Sequence, residues 1–351
     1  MSRFQASRRS ALSALAGLLA ASPCLRGQGA PKLSGEPPGR MTPLDAFANV
    51  PEFEPMAERA LNDAAFARIA GGERSALDRI TFRPRMMVNT LDLDLSLELL
   101  GRTMFAPILV GPSSRQKRVH PDGERATAEG AAAAKATLVT AEHSGTPVEQ
   151  TATVAADSWH QVYPDNDIEA LVERARHARD AGCRAICLTL GDAGQGTGRA
   201  ARYGWDAIER LREAAGIPLV LKGVMQPSDA LEAAARGIAA IVVSNHGTGQ
   251  AEGAAEPVAA LSAVAEALEG RIPVLVDGGF RRGGDVLKAI ALGATAALVC
   301  RPVLWGLAAY GAPGVQKVVE MLQTELARDM VQVGAVNLAA IRRDHIRVHS
   351  R

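Results

Sequence analysis

The chain of 351 residues is 47% hydrophobic and 22% charged, with 34 glycines, so it has ample material for a large core and is neither disordered nor collagen-like. Only seven Phe, three Trp and three Tyr are present, too few for an aromatic-rich β-sandwich, and Ala, Gly, Leu and Val dominate as in α/β proteins. With 39 basic and 38 acidic residues the formal charge is +1, which excludes the electrostatic footprint that a nucleic-acid binder needs.

The charge is unevenly spread. Arg3, Arg8, Arg9, Arg26 and Lys32 all precede the first acidic residue, Glu36, so the first 35 residues carry +5 and the remainder −4. The paired Arg8-Arg9 lead into an apolar run from Ala11 to Ala21, shorter than the roughly 20 residues of a bilayer-spanning helix. This pattern reads as a signal peptide over residues 1–29. The twin arginines followed by Leu12 resemble a twin-arginine export signal, which implies a periplasmic or secreted protein. Residues 30–43 read as a linker. Residues 44–104 are expected to hold one or two helices (Glu54 to Ile69) and then extended chain from Ile80 to Leu100, capping the bottom of the domain formed by the rest of the chain.

From Phe105 onward, short apolar or β-branched runs alternate with amphipathic stretches. The runs are Phe105 to Val110, Thr137 to Thr140, Trp159 to Tyr163, Ala185 to Leu190, Pro218 to Lys222, Ala239 to Ser244, Pro273 to Val276 and Ala296 to Cys300. Each suits a buried parallel strand, and stretches such as Ile168 to Ala181 have helical spacing between them. Eight such units predict a (β/α)8 barrel over residues 105–351 with a short N-terminal extension. The competing doubly wound sheet lacks its Gly-rich dinucleotide turn. The cysteines at 24, 183, 187 and 300 have neither zinc nor redox spacing, and the last three read as packed thiols.

In such barrels chemistry sits at the C-terminal strand ends. Those positions read Gly111-Pro112-Ser113-Ser114, Ala141-Glu142-His143, Gln161 with Tyr163, Thr189, Lys222, Ser244-Asn245-His246-Gly247, Asp277-Gly278-Gly279 and Arg301-Pro302. Glycines, a helix start, Arg281 and Arg301 after the last two strands form a candidate phosphate site. His246, the only strand-end histidine flanked by glycine, and Lys222 are the candidate catalytic groups. On their own, the lysine could equally form a salt bridge at the mouth and the histidine could equally be structural.

The stretches Leu221-Lys222-Gly223-Val224, Val243-Ser244-Asn245-His246-Gly247, Asp277-Gly278-Gly279-Phe280-Arg281-Arg282-Gly283, Lys288 to Ala294 and Arg301-Pro302 resemble the FMN-dependent 2-hydroxy-acid oxidase and dehydrogenase family. A weaker likeness runs back through Gln116-Lys117 and His120 to Glu124 to Phe82-Arg83-Pro84-Arg85. The resemblance implies FMN as cofactor, held by Pro112, Ser113, Ser114, Gln161, Thr189, Lys222 and Ser244, with its phosphate on Asp277, Gly279, Arg281 and Arg301. It implies that Lys222 stabilises the reduced flavin, that His246 removes a substrate proton, and that Tyr163 and His246 bind the substrate. It further implies a small-molecule substrate, oxygen or a membrane electron acceptor as partner, no nucleic acid, and a homo-oligomer.

The substrate half departs from the family pattern. The family's His-Gly-x-Arg-Gln is His246-Gly247-Thr248-Gly249-Gln250 here, so the carboxylate-binding arginine is Gly249. The acid that orients the histidine is missing from Thr189-Leu190-Gly191, with Asp192 adjacent. Arg199 and Arg202 are candidates for a second substrate arginine, and Phe66 stands where the family has a tyrosine. These departures leave open oxidation of a carbon–nitrogen bond in an amine or modified peptide, or a flavin-binding homologue with little catalysis.

Overall fold

A computed structural model describes residues 41–350 except 73, 166, 191–203 and 246–254. The chain divides into two units, residues 1–42 and 43–351. The signal peptide and nearly all of the expected linker lie outside the described residues; the elements belong to the second unit.

Eight strands of three or four residues form one parallel sheet: β4 (Ile108–Val110), β5 (Val139–Ala141), β6 (Trp159–Val162), β7 (Ile186–Thr189), β8 (Leu219–Lys222), β9 (Ala240–Val243), β10 (Val274–Val276) and β11 (Ala296–Val299). They neighbour one another in the order β4-β11-β10-β9-β8-β7-β6-β5, and a parallel bridge between Val110 and Leu138 closes the ring. The result is the expected (β/α)8 barrel. Almost every strand residue is buried, as it must be when helices cover the outside and side chains fill the inside.

The covering helices follow from amphipathic spacing and from their caps. They are α4 (Gly123–Ala133), α5 (Val148–Val154), α6 (Ile168–Asp180), α7 (Trp205–Ala215), α8 (Pro227–Ala235), α9 (Pro257–Leu268), α10 (Gly283–Ala291) and α11 (Arg301–Val333), the last broken at Gly311. Asp167 caps α6 by accepting from the Glu169 and Ala170 amides, and prolines open α8 and α9, where no helical donor is lost.

The N-terminal extension holds α1 (Phe53–Ala60), α2 (Asp63–Phe66), α3 (Ser75–Asp78), β1 (Ile80–Phe82), β2 (Leu97–Leu99) and β3 (Arg102–Met104). Phe66 therefore ends a one-turn helix. The β2–β3 hairpin turns through Leu100 and Gly101, both at positive φ, the mirror-image turn that matches strand twist. Its Leu99 and Met104 pack on Leu109, Val139, Trp159 and Ala185, near the start of the barrel strands, and Arg102 pairs with Asp157 just before β6. The hairpin thus plugs the N-terminal end. A final strand, β12 (Ile346–Val348), pairs with β1.

The extension is not confined to that end, in contrast to the bottom cap expected from the sequence. Residues 69–72 run beside Arg281 and Arg301, which follow the C-terminal ends of β10 and β11. The signal is two adjacent glycines, and the arginines that meet the second of them, Gly72, lie more than two hundred residues away.

Candidate active site

The floor of the mouth is built at the strand ends. Lys222, last residue of β8 and 2% exposed, donates from Nζ to Ser244 Oγ at 2.9 Å and lies 2.9 Å from Asp277 Oδ2. Burial alone would depress this ammonium; the charge and hydrogen bond of Asp277 outweigh it and hold its pKa above the ordinary lysine value. A fixed positive charge is thus kept at the centre of the mouth. The Asp277 carboxylate pairs with Lys222, so its side chain faces the floor of the mouth.

Gln161 and Thr189 are each 1% exposed; Thr189 pairs with Lys222 across the β7–β8 register, and Gln161 lies on the next strand, β6. Gln161 Oε1 accepts the Glu142 amide at 3.4 Å, which turns its Nε2 away from that contact. Among the described residues, Gln161 Nε2 and Thr189 Oγ1 are buried without a hydrogen-bond partner. Two such groups on neighbouring strands are costly unless a further polar group joins them.

The first strand contributes Pro112, Ser113 and Ser114. Their loop is locked by Gln116, whose Nε2 donates to Ser113 O at 3.0 Å, and by buried Glu124, which accepts the Gln116 amide at 2.9 Å and the Gly145 amide at 3.2 Å. Glu124 therefore ties the β4 and β5 loops together. Gly111 has to be glycine, since a Cβ would meet Cys300 Sγ at 2.5 Å. Burial pushes the Cys300 thiol up to about 11 and that of Cys187 to about 12, so neither is a nucleophile at neutral pH.

At the rim after β10, Gly278 and Gly279 have φ of 95° and 81°, a conformation that exposes successive backbone amides. Arg281 and Arg301 follow. Asp285 of α10 accepts the Arg281 and Arg282 amides, each at 3.0 Å, and shapes this turn. The unpaired donors, the glycine turn and the two arginines suit a flat, hydrogen-bonding ring system that ends in a phosphate, and FMN fits that description.

On the opposite rim, His143 stacks on Tyr163 at 5.4 Å and 19°. Glu142 supports both: it accepts the Tyr163 amide at 2.8 Å and pairs with Arg174 at 2.7 Å, and Arg174 also pairs with Asp165 at 3.0 Å. The sequence marks Glu142 only as a strand-end residue, because its partner Arg174 sits on a distant helix. Burial raises the Tyr163 phenol, with Lys222 opposing, so the hydroxyl stays protonated. His246, Gly249, Asp192, Arg199 and Arg202 lie outside the described residues. Among the described residues no cluster of His, Cys, Asp and Glu suits a metal ion, and no helix is long and apolar enough to cross a membrane.

The chain matches the family model described as FMN-dependent dehydrogenase over residues 64–203 and 193–348. It is 33% identical to a peroxisomal (S)-2-hydroxyacid oxidase of Arabidopsis thaliana, over 88% of this chain and 98% of that one. An L-lactate oxidase of Nostoc sp. is 34% identical over 86% and 98%. A crystal structure of mandelate oxidase superposes with a TM-score of 0.81 at 32% identity, covering 87% of this chain and all of the other. Sequence, fold and the donors of the mouth agree: the chain belongs to the FMN-dependent dehydrogenase family of 2-hydroxy-acid-oxidising flavoenzymes, and its cofactor is FMN.

Proposed function

We propose that the protein oxidises the α-carbon of a 2-hydroxy acid to the 2-keto acid and passes the electrons to oxygen. The observation that carries this reading is the buried Lys222 ammonium, charge-matched by Asp277, with the unpaired donors of Thr189 and Gln161 on the next two strands. FMN, when bound, supplies the two-electron acceptor. Gln161, Thr189, Pro112, Ser113 and Ser114 would hold its ring system, and Asp277, Gly279, Arg281 and Arg301 its phosphate. Lys222 and Ser244 would set a positive charge and a hydroxyl beside the bound group, where a preoriented charge favours its reduced form. His246 accepts a proton from the substrate, and the protonated Tyr163 hydroxyl orients the substrate oxygen.

The relatives named above are oxidases of hydroxy acids, which disfavours the carbon–nitrogen and binding-only readings and supports oxygen as the acceptor. With Gly249 in place of the family arginine, the carboxylate loses a bidentate partner, worth about 2 to 5 kcal/mol when desolvated. A substrate with a larger side chain and a weaker demand on carboxylate binding fits this best. The twin-arginine leader supports export in a folded, cofactor-loaded state, with a membrane acceptor as the alternative to oxygen in that compartment and a homo-oligomer as the assembled form.

The test is oxygen uptake and 2-keto acid formation by the purified, FMN-loaded protein across glycolate, lactate, mandelate and matched amines. Turnover confined to hydroxy acids supports the reading, and turnover confined to amines overturns it. Gly249→Arg raises kcat/KM for small hydroxy acids if the lost arginine limits them. For export, Arg8→Lys with Arg9→Lys leaves the full chain in the cytoplasmic fraction; unchanged export sinks the twin-arginine assignment.

A further inference from the structure

We infer that residues 69–72 are a positioning strap for the phosphate arginines, with Gly72 and Trp305 as its working parts. The inference rests on the FMN reading above and concerns how this chain holds the phosphate end.

Several contacts converge on this short segment. Arg281 Nη2 donates to Gly72 O at 3.1 Å, and its guanidinium lies 5.5 Å from the centre of the Trp305 ring. Trp305 is fully buried and donates from Nε1 to Ile69 O at 2.8 Å, so the ring that supports Arg281 is itself fixed by the strap. The Arg301 guanidinium lies against Gly72, where a Cβ would fall 1.8 Å from Nη1. The strap is anchored at its other side by Glu54 of α1, whose Oε1 accepts the Gly71 amide at 2.6 Å, and just beyond it Arg74 pairs with Asp285 at 3.4 Å. Asp285 is the residue that holds the Arg281 and Arg282 amides.

A long cation on a flexible stem loses rotamer freedom when it binds a phosphate, and a support that fixes it beforehand removes that cost. Here one carbonyl and one aromatic face fix Arg281, and the absence of a side chain at Gly72 leaves the place that Arg301 occupies. Gly72 has φ of 123°, so glycine is required for the backbone as well as for the space. The atom that an added Cβ would strike is the tip of a flexible side chain, so the fold yields by displacing the guanidinium. Docking of the N-terminal extension and phosphate binding are therefore coupled.

The experiment compares FMN with riboflavin, which lacks the phosphate, by fluorescence titration of the flavin-free protein. Wild type prefers FMN. In Gly72→Ala, FMN affinity falls about tenfold or more while riboflavin affinity holds, the loss expected when one charge-assisted contact to phosphate is misplaced. Glu54→Ala loosens the strap without straining the backbone and lowers the FMN preference less, whereas Glu54→Gln, whose amide oxygen still accepts from Gly71, restores it. Trp305→Leu lowers the preference and Trp305→Phe retains most of it. Equal losses for both flavins mean a merely structural role and overturn the inference, as does an unchanged preference in both Gly72→Ala and Glu54→Ala. A wild type without preference for FMN contradicts the phosphate site itself, a different outcome from failure of the strap alone.

Discussion

The two ends of the barrel solve opposite problems. At the N-terminal end a hairpin inserts Leu99 and Met104 onto the barrel interior, and the result is apolar. At the C-terminal end the same ring of strands buries a lysine, a glutamine, a threonine and a serine beside a half-buried aspartate, and among the described residues one polar atom each of Gln161 and Thr189 has no partner. Apolar burial is concentrated where the sheet is plugged, and the mouth holds polar groups that a ligand would complete. Substitutions at the mouth should therefore change colour and rate, and substitutions at the plug should change melting alone.

The largest effect is expected from His246→Ala, which removes the proposed base and slows flavin reduction by about 10²- to 10⁴-fold while the bound flavin remains yellow; anaerobic stopped-flow absorbance reads both. Lys222→Met breaks a buried pair and strands Asp277, at a cost of about 3 to 5 kcal/mol in denaturant unfolding together with slower reduction. If that variant loses stability but reduces normally, Lys222 belongs with the scaffold and the contrast between the ends fails. Leu99→Ala opens a cavity at the plug and costs about 2 to 5 kcal/mol, with FMN affinity unchanged.

His160 sharpens the contrast from a third position. It alternates with the inward-facing Trp159 and Gln161, lies beneath α6 near His177 and Glu149, and its Nδ1 shares a 2.7 Å hydrogen bond with Thr140. Burial pushes its pKa down to about 4, from an unfolded value near 6.5. The unfolded chain therefore takes up the proton first. The stabilisation is complete above pH 6.5 and is lost as pH falls toward 4, by about 3 kcal/mol in all. Replacing His160 by Gln should flatten that part of the acid limb without altering reduction by substrate. The smallest effect belongs to Thr189→Val. It removes an unpaired hydroxyl, so the flavin-free protein is no less stable, while FMN binding weakens by about fivefold through one lost hydrogen bond.

Much of this architecture is legible in the sequence because its signals are local. Each barrel strand is a short apolar run between polar or Gly-Pro punctuation, and the mouth residues can be named by reading the polar residues at the C-terminal end of each run. Lys222, Gln161 and Thr189 fall where the pattern predicts, since a strand end fixes a side chain's position to within a residue. The rest depends on contacts between distant parts of the chain. Glu142 and Arg174 meet across 32 positions, and Gly72 meets Arg281 across 209, so neither pairing leaves a mark in periodicity. The orientation of Asp277 is equally hidden. An aspartate beside glycines and arginines reads as part of a phosphate turn, and only the barrel register shows that its carboxylate faces Lys222.

The most direct test of the central claim is rapid mixing of the yellow, oxygen-free protein with a 2-hydroxy acid while the visible flavin absorbance is followed. The wild type should bleach and His246→Ala should keep its colour. A wild type that stays yellow with glycolate, lactate and mandelate alike, or a His246→Ala variant that bleaches at the same rate, would contradict the claim.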